Sequence, residues 1–261
     1  MDRARAVWRL LWALGHIAGG IWTILTLFPK LGQIEKEARV HAWAQAMLRG
    51  VGITLAVQGI PVAGGPALLV ANHLSWLDIV VMHAARYCRF VSKSDIKHWP
   101  LVGTLAGGAG TLYIERDSKR DAHRVVHHMV ERLQLGEVLA VFPEGTTGDS
   151  ISLKPFHANL LQAAISVDAP VQPMALRFMD AGSGQTSFAP RYIDDDSIFV
   201  SIWETLCVKN LRADVIFGAP QRCAGRDRRT WAADLQREVE RLRSGPPQGG
   251  SIGCVARSPK R

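Results

Sequence analysis

The chain has 261 residues, which is enough for one large domain that buries a substantial core. Its formal net charge of +8 favours an anionic partner such as nucleic acid, a lipid head group, a phosphorylated substrate or an acidic carrier. The four cysteines lack Cys-x-x-Cys spacing, which argues against a zinc site and a disulfide framework and indicates a reducing, cytosol-facing location. We therefore expect no metal ion.

An apolar segment without Asp, Glu, Lys or Arg covers residues 10–28, close to the ~20 residues that cross a bilayer. Arginines precede it and tryptophans suited to the membrane interface lie in and beside it: Arg3, Arg5, Arg9, Trp8, Trp12 and Trp22. The pattern favours membrane insertion over a cleaved signal peptide or a buried helix of a soluble protein. Because positive charges flank both ends, the sequence leaves open whether the segment spans the bilayer or lies in one leaflet.

A second helix is predicted over residues 33–48, where apolar side chains recur at helical spacing opposite charged ones. Together with the apolar segment it predicts a membrane-anchoring helical hairpin over residues 1–50. At the other end, residues 245–261 are rich in Gly, Pro and Ser with terminal Lys and Arg, so we predict a disordered basic tail.

Strand-like and helical segments alternate over residues 51–244, which we predict to form the main domain. The predicted strands are ITLAVQG, PALLVAN, YCRFVS, TLYIER, EVLAVFPEG, PVQPMALRF and ADVIFGAP. The predicted helices cover residues 76–85, 118–135, 158–167 and 228–243. This alternation predicts an α/β fold with a mostly parallel or mixed sheet that is covered by helices.

The segment NHLSWLD places His73 and Asp78 just after a predicted buried strand. On one continuous helix, residues at this spacing would lie roughly 140° apart. If the strand stops near His73 and a helix begins near Trp76, however, the loop brings the carboxylate back to the imidazole. That arrangement is typical of a general base and the acid that orients it, although Asp78 alone could also cap its helix.

A second polar turn follows the predicted strand in VLAVFPEGTTG. Gly145 allows backbone N–H groups to point beyond the strand, and the hydroxyl of Thr146 adds a donor, which suits an anion or a developing oxyanion. The alternative is an ordinary proline-glycine turn. A third segment, GAGTLYIERD, ends near Arg116, whose guanidinium either grips a phosphate or pairs with a neighbouring acid.

Four segments in this order resemble the boxes of the glycerolipid acyltransferase family, typified by 1-acylglycerol-3-phosphate acyltransferases. They are NHxxxxD at residues 72–78, the box that ends at Arg116, PEGT at residues 143–146 and PVxP at residues 170–173. The similarity covers roughly residues 54–220 and includes Lys93, which implies that residues 51–244 form the catalytic, acyltransferase domain. A single HxxxxD motif is weak evidence, whereas four boxes behind an apolar N-terminal segment are specific.

The resemblance implies that His73 takes a proton from the hydroxyl of a lysolipid, which attacks the thioester of acyl-CoA or acyl carrier protein. Asp78 would orient the ring, and donors near Gly145 and Thr146 would stabilise the oxyanion. Arg116 and Lys93 would bind the acceptor, and Glu144 would either orient the acceptor or brace the turn. It also implies a bacterial-type cytoplasmic membrane with the site facing the cytosol, contact with membrane lipid, and 1-acylglycerol-3-phosphate as the default acceptor.

The chain departs from the family after PEGT, where Thr147 and Gly148 replace the usual Arg-Ser. It departs again at residues 156–159, which read Phe-His-Ala-Asn where Phe-Lys-Lys/Arg-Gly is common. Both changes remove positive charge beside the expected acceptor site. The PEGTT form also resembles a branch that acylates lyso-ornithine lipid, so this acceptor is the alternative.

Other functions are less well supported by the sequence. A hydrolase with Ser75 as its nucleophile lacks the Gly-x-Ser-x-Gly motif, and GSGQTS does not open a helix after a strand, so we expect no dinucleotide and no other cofactor. The basic clusters lack interleaved aromatic residues, so we expect no nucleic-acid partner. A lipid-binding relative without catalytic activity remains as an alternative of a different class.

Overall fold

Within the residues that the structure describes, seven strands form one mixed sheet in the order β1-β7-β6-β2-β5-β3-β4. The computed structural model describes residues 2–114, 119–149, 151–193 and 196–245. The strands are β1 Thr54–Gln58, β2 Ala67–Ala71, β3 Arg89–Lys93, β4 Leu112–Ile114, β5 Val138–Val141, β6 Val171–Asp180 and β7 Leu211–Phe217. Neighbouring strands are parallel except β6 and β7. The α/β prediction and its seven strands are confirmed.

Helices cover both faces of the sheet, which explains why strand β2 is apolar without alternation. All five residues of β2 are buried. Leu68 and Val70 pack into a cluster with Met129 and Trp231, whereas Leu69 belongs to the cluster on the opposite face. A strand that is covered on both faces has no water-exposed side, so the continuous apolar run PALLVA is the expected sequence pattern.

Six of the eight α-helices in the described residues lie on segments predicted from the sequence, and two do not. Within the described residues they are α1 Asp2–Thr26, α2 Gln33–Gly50, α3 Asp78–Ala85, α4 Val102–Gly108, α5 Lys119–Gln134, α6 Leu161–Ser166, α7 Ile198–Cys207 and α8 Arg228–Ser244. Helices α4 and α7 are absent from the sequence prediction. The predicted tail begins at the last described residue, so residues 246–261 lie outside the described part of the chain.

Helix α1 is long and apolar enough to cross a membrane, and it also packs on the rest of the molecule. Among the described residues, the segment Arg3–Lys30 meets the length and composition of a membrane span. Gly50 of α2 leaves room for the Trp12 ring, and Gly108 of α4 does the same for Ile24. These close contacts need glycine because a Cβ atom would overlap the neighbouring side chain. The boundary at residue 50 between an anchor and a catalytic domain stays a prediction.

Candidate active site

The site lies where strands β2 and β5 end side by side. The two strands are parallel and Val70 is paired with Val141, so the loops that follow them leave the sheet at the same edge. Asn72 fixes the first loop to β6, because its side chain donates to Leu176 O at 3.0 Å and accepts from Leu176 N at 2.8 Å. The sheet therefore brings the NHxxxxD loop, residues 72–78, next to the PEGT turn, residues 143–146.

The side chains of His73 and Asp78 meet within the NHxxxxD loop. His73 Nδ1 lies 2.8 Å from Asp78 Oδ2, and the Asp78 side chain is fully buried. The same oxygen accepts the backbone N–H groups of Leu74 at 2.6 Å and Ser75 at 2.9 Å. Helix α3 begins at Asp78, so the end of the strand and the beginning of the helix produce the geometry that the sequence spacing predicts.

The carboxylate of Asp78 determines which nitrogen of His73 is available for chemistry. A carboxylate offers only acceptor sites, so Nδ1 carries the proton of this hydrogen bond and Nε2 keeps its lone pair. The His73 ring stacks on Phe142 with centroids 4.0 Å apart and an angle of 7° between the planes. Phe142 thus fixes one face of the ring and Asp78 fixes one edge, while 20% of the His73 side chain remains exposed.

Glu144 links the PEGT turn to the NHxxxxD loop. Its Oε1 accepts from His73 N at 2.8 Å and its Oε2 accepts from Lys154 N at 2.8 Å. The side chain is only 4% exposed, and this burial raises the pKa of the carboxyl, against the opposing effect of the two backbone N–H groups. Because both oxygens are bound to the backbone, the contacts favour the bracing role of Glu144 over acceptor binding.

Gly145 and Thr146 form the exposed rim of the same turn. Gly145 has φ +77°, a left-handed conformation that favours glycine, and a Cβ atom there would lie 3.1 Å from the ring of His157. The N–H of Gly145 is donated to Phe142 O at 3.1 Å. The turn therefore holds Gly145 beside the ring of His157 and leaves Thr146 exposed.

Lys154 lies outside the four boxes, and from the sequence it is, with Lys93, a candidate to compensate for the missing arginine. Its Nζ donates to Thr147 O at 3.0 Å, directly after the PEGT turn. This is the position at which the chain lacks the usual arginine of the family. The two residues lie seven positions apart in an irregular segment, so no periodic pattern in the sequence indicates the contact.

Ser75 is buried and fully engaged in the loop. It is 0% exposed, its hydroxyl donates to Pro190 O, and it accepts the N–H of Leu77 at 3.1 Å. A nucleophile must reach the substrate, so this geometry argues against the hydrolase alternative.

Two predicted acceptor-binding residues are described incompletely. Arg116 lies outside the described residues. Lys93 ends strand β3, where its backbone is paired with Ile114 of β4. Strands β3 and β5 are parallel. Lys93, the last residue of β3, therefore lies at the same edge of the sheet as the PEGT turn, which follows β5. The structure therefore leaves the substrate contacts of both residues as predictions.

Comparisons with known proteins agree with these motifs. The sequence model of the acyltransferase family matches residues 53–177. A 1-acyl-sn-glycerol-3-phosphate acyltransferase of Neisseria gonorrhoeae is 37% identical over 185 residues, which are 70% of this chain and 71% of the relative. A lyso-ornithine lipid O-acyltransferase of Pseudomonas aeruginosa is 36% identical over 174 residues, 67% of this chain and 66% of the relative.

A solved structure extends the agreement to the fold. The crystal structure of the 1-acyl-sn-glycerophosphate acyltransferase of Thermotoga maritima superposes with a TM-score of 0.66 and covers 94% of this chain and 99% of that one. The two sequences are 19% identical, so this likeness concerns the fold alone. Family membership rests on the sequence matches, and by these the chain belongs to the acyltransferase family.

Proposed function

We propose that the protein transfers a fatty acyl group from acyl-CoA or acyl carrier protein to the free hydroxyl of a membrane lysolipid. The first choice of acceptor is 1-acylglycerol-3-phosphate, which would yield phosphatidic acid for phospholipid biosynthesis. The observation that carries the proposal is the 2.8 Å contact between His73 Nδ1 and the buried carboxylate of Asp78, beside the PEGT turn. The names of the relatives from Neisseria and Pseudomonas support the class of acceptor.

His73 acts as the general base in this mechanism. Its Nε2 takes the proton of the acceptor hydroxyl while the hydroxyl oxygen forms a bond to the thioester carbonyl carbon. Asp78 stabilises the imidazolium that results. When the tetrahedral intermediate collapses, the carbon–sulfur bond breaks, and the departing thiolate takes the proton from His73. A positioned base of this kind contributes roughly 10²- to 10⁴-fold to the rate.

The developing negative charge on the carbonyl oxygen requires donors that are already in place. We assign this role to Thr146, which lies on the exposed rim of the PEGT turn. Gly145 contributes the left-handed conformation that shapes the turn, because its own N–H is bound to Phe142 O. Glu144 fixes the turn relative to His73, so donor and base keep their distance as the reaction proceeds.

The head group is where the two candidate acceptors differ. A phosphate monoester is best held by several cations, since charge-assisted hydrogen bonds are worth roughly 1.5–3 kcal/mol each. Arg116 and Lys93 are the cations that the motifs supply, and Lys154, 3.0 Å from Thr147 O, adds another close to the missing arginine. Thr147 itself favours the alternative, lyso-ornithine lipid, whose head group has no phosphate.

The site is proposed to work at the cytosolic surface of the cytoplasmic membrane. Helix α1 provides the apolar segment, and Arg3 is exposed before it. Acyl-CoA and acyl carrier protein are water-soluble whereas the acceptor is not, so a site at the interface gives access to both.

Acceptor and donor are identified by a competition assay with the purified protein in phospholipid vesicles. Lysophosphatidate and lyso-ornithine lipid are offered together, once with acyl-CoA and once with acyl carrier protein. If lysophosphatidate is the acceptor, Arg116→Ala raises its KM strongly and Thr147→Arg lowers it. Acylation of lyso-ornithine lipid alone, with no effect of Arg116→Ala, supports the alternative. No transfer to any acceptor supports the non-catalytic relative.

A further inference from the structure

Helix α7 buries two hydroxyl side chains, beside buried Leu206, and exposes three large apolar side chains, beside exposed Glu204. Ser201 and Thr205 are 3% and 2% exposed, whereas Phe199 and Val200 are 79% and 54% exposed. Trp203, at 36%, lies on the exposed side as well. This is the reverse of the pattern in a helix that covers a core in water, where the apolar stripe points inward. The reversal indicates that the outer face of α7, residues Phe199, Val200 and Trp203, contacts something other than water.

The buried face of α7 is bound directly to the NHxxxxD loop. Ser201 Oγ accepts the indole N–H of Trp76 at 3.1 Å and donates to Pro190 O at 3.2 Å. The hydroxyl of Ser75, in the same loop as His73, donates to the same carbonyl of Pro190. Two hydroxyl groups on one carbonyl oxygen thus join α7 to the loop that holds His73 and Asp78.

The end of α7 is bound to the first turns of α1. Arg5 donates to Cys207 O at 2.8 Å, and Arg9 donates to Leu206 O at 2.9 Å and Val208 O at 2.6 Å. Cations are favourable at the carboxyl end of a helix, where carbonyl groups lack partners within the helix. Trp8 and Leu11, which lie close to Arg9 in the sequence of α1, are 60% and 63% exposed.

From these contacts we propose that α7 is a second lipid-contacting element, which inserts its outer face into the same bilayer surface as α1. This insertion positions the NHxxxxD loop at that surface. The inference rests on the proposed function, because it supplies the route by which a lipid acceptor reaches His73. Its occupant is a bilayer with anionic head groups. Exposed Arg3 and Lys209 lie beside the two helices, and the net charge of +8 adds long-range attraction to such a surface.

The depth of α7 in a bilayer is measurable without any assay of activity. A nitroxide is attached to Phe199→Cys in a chain whose native cysteines are replaced by alanine or serine. The matched control is Leu135→Cys, which is 70% exposed in the native chain. It lies between α5 and β5, before the strand whose far end leads into the PEGT turn. On addition of phosphatidylethanolamine–phosphatidylglycerol vesicles, the label at 199 becomes more accessible to oxygen than to a water-soluble nickel chelate, and the label at 135 does not.

Two outcomes of this experiment overturn the proposal. In the first, the label at 199 stays as accessible to the nickel chelate with vesicles as without them. In the second, it becomes protected at increasing protein concentration without vesicles, which identifies a second copy of the chain as the partner. Both outcomes leave the proposed acyl transfer intact, so failure of the inference is distinguishable from failure of the function.

Activity gives a second test with a matched pair of variants. Phe199→Lys places a charge in the apolar layer, so transfer to an acceptor in vesicles falls relative to transfer to a short-chain soluble acceptor by at least about tenfold. Leu135→Lys leaves this ratio at the wild-type value. An unchanged ratio in Phe199→Lys, with the thermal unfolding of both variants as a check on folding, contradicts the proposal. Absence of transfer in the wild-type protein contradicts the proposed function instead.

Discussion

The catalytic edge of the sheet and the surface of α1 and α7 have opposite arrangements of polarity. At the catalytic edge, the carboxylates of Asp78 and Glu144 are buried and bound to backbone N–H groups. At the α1–α7 surface, apolar side chains such as Trp8 and Phe199 are exposed. Buried carboxylates that accept backbone N–H groups hold a fixed geometry, whereas exposed apolar groups favour transfer into lipid. In the proposed function, the catalytic edge performs the acyl transfer, and the α1–α7 surface places it at the membrane.

The two regions are nevertheless connected, because α7 forms part of the exposed apolar surface and is also hydrogen-bonded to the NHxxxxD loop. Ser201 and Ser75 share the carbonyl of Pro190. Substitutions in the catalytic loops should therefore remove activity and keep membrane binding, while substitutions at the helices should reduce both.

The variant His73→Ala removes the base and should lower the rate of acyl transfer by up to about 10⁴-fold, the upper end of what a positioned base contributes. The residue ends a strand and is partly exposed, so the protein should stay folded and bound to vesicles. Initial rates with acyl-CoA and sedimentation with vesicles measure the two properties. Full activity in purified His73→Ala protein would show that another group is the base.

The variant Asp78→Asn keeps the base and removes the charge that orients it, so a loss of about 10²-fold is expected. The smaller effect follows because His73 Nε2 remains available while the imidazolium loses its partner. Rates of the two single variants and of the double variant are compared in one assay. If the double variant loses no more activity than His73→Ala alone, Asp78 acts through His73; losses that multiply independently contradict the assigned pairing.

The variant Glu144→Gln should lower the free energy of unfolding by about 2–3 kcal/mol, because an amide cannot accept hydrogen bonds from both backbone N–H groups. Transfer should also slow, since the PEGT turn loses its attachment to His73. Chemical denaturation measures the stability. The control is Glu131→Gln, in a side chain that is 50% exposed and where a change within about 0.5 kcal/mol is expected. Equal stability of the two variants would argue against the bracing role.

The variant Arg9→Ala should lower the free energy of unfolding by about 1–2 kcal/mol, because Leu206 O and Val208 O lose their donor. Helix α1 should also detach more readily from α7. The matched control is Arg3→Ala, whose native side chain is exposed about one and two-thirds turns earlier on the same helix. Limited proteolysis at the α1–α7 contact distinguishes the two. Identical cleavage of both variants would contradict the role of Arg9.

The positions of the strands were predictable because they depend on local composition. The buried run PALLVA and the residues that follow it predict both β2 and the turn that brings His73 to Asp78. The contacts between loops were not predictable in this way, since the link from Glu144 to His73 joins residues 71 positions apart. Only the parallel pairing of β2 with β5 brings these residues together.

Helices α4 and α7 show two different reasons for a missed element. The sequence of α4, VGTLAGG, contains three glycines, which lower helix propensity by about 1 kcal/mol each relative to alanine. The sequence of α7, IFVSIWETLC, has apolar residues on the outside and Ser201 and Thr205 inside, so it lacks the usual amphipathic pattern. A search for helices with inverted polarity would have found it.

The most direct test of the account concerns the identity of the nucleophile. Ser75 is buried and bound to Pro190 O, so the attacking oxygen belongs to the acceptor and no acyl-enzyme should form. Purified protein is mixed with the acyl thioester alone, its intact mass and the released thiol are measured, and the acceptor is then added. We expect an unchanged protein mass and thiol release that begins only with the acceptor, with one ester formed for each thiol. A burst of thiol equal to the amount of enzyme before the acceptor is added, with an acyl group gained by the protein, would contradict it.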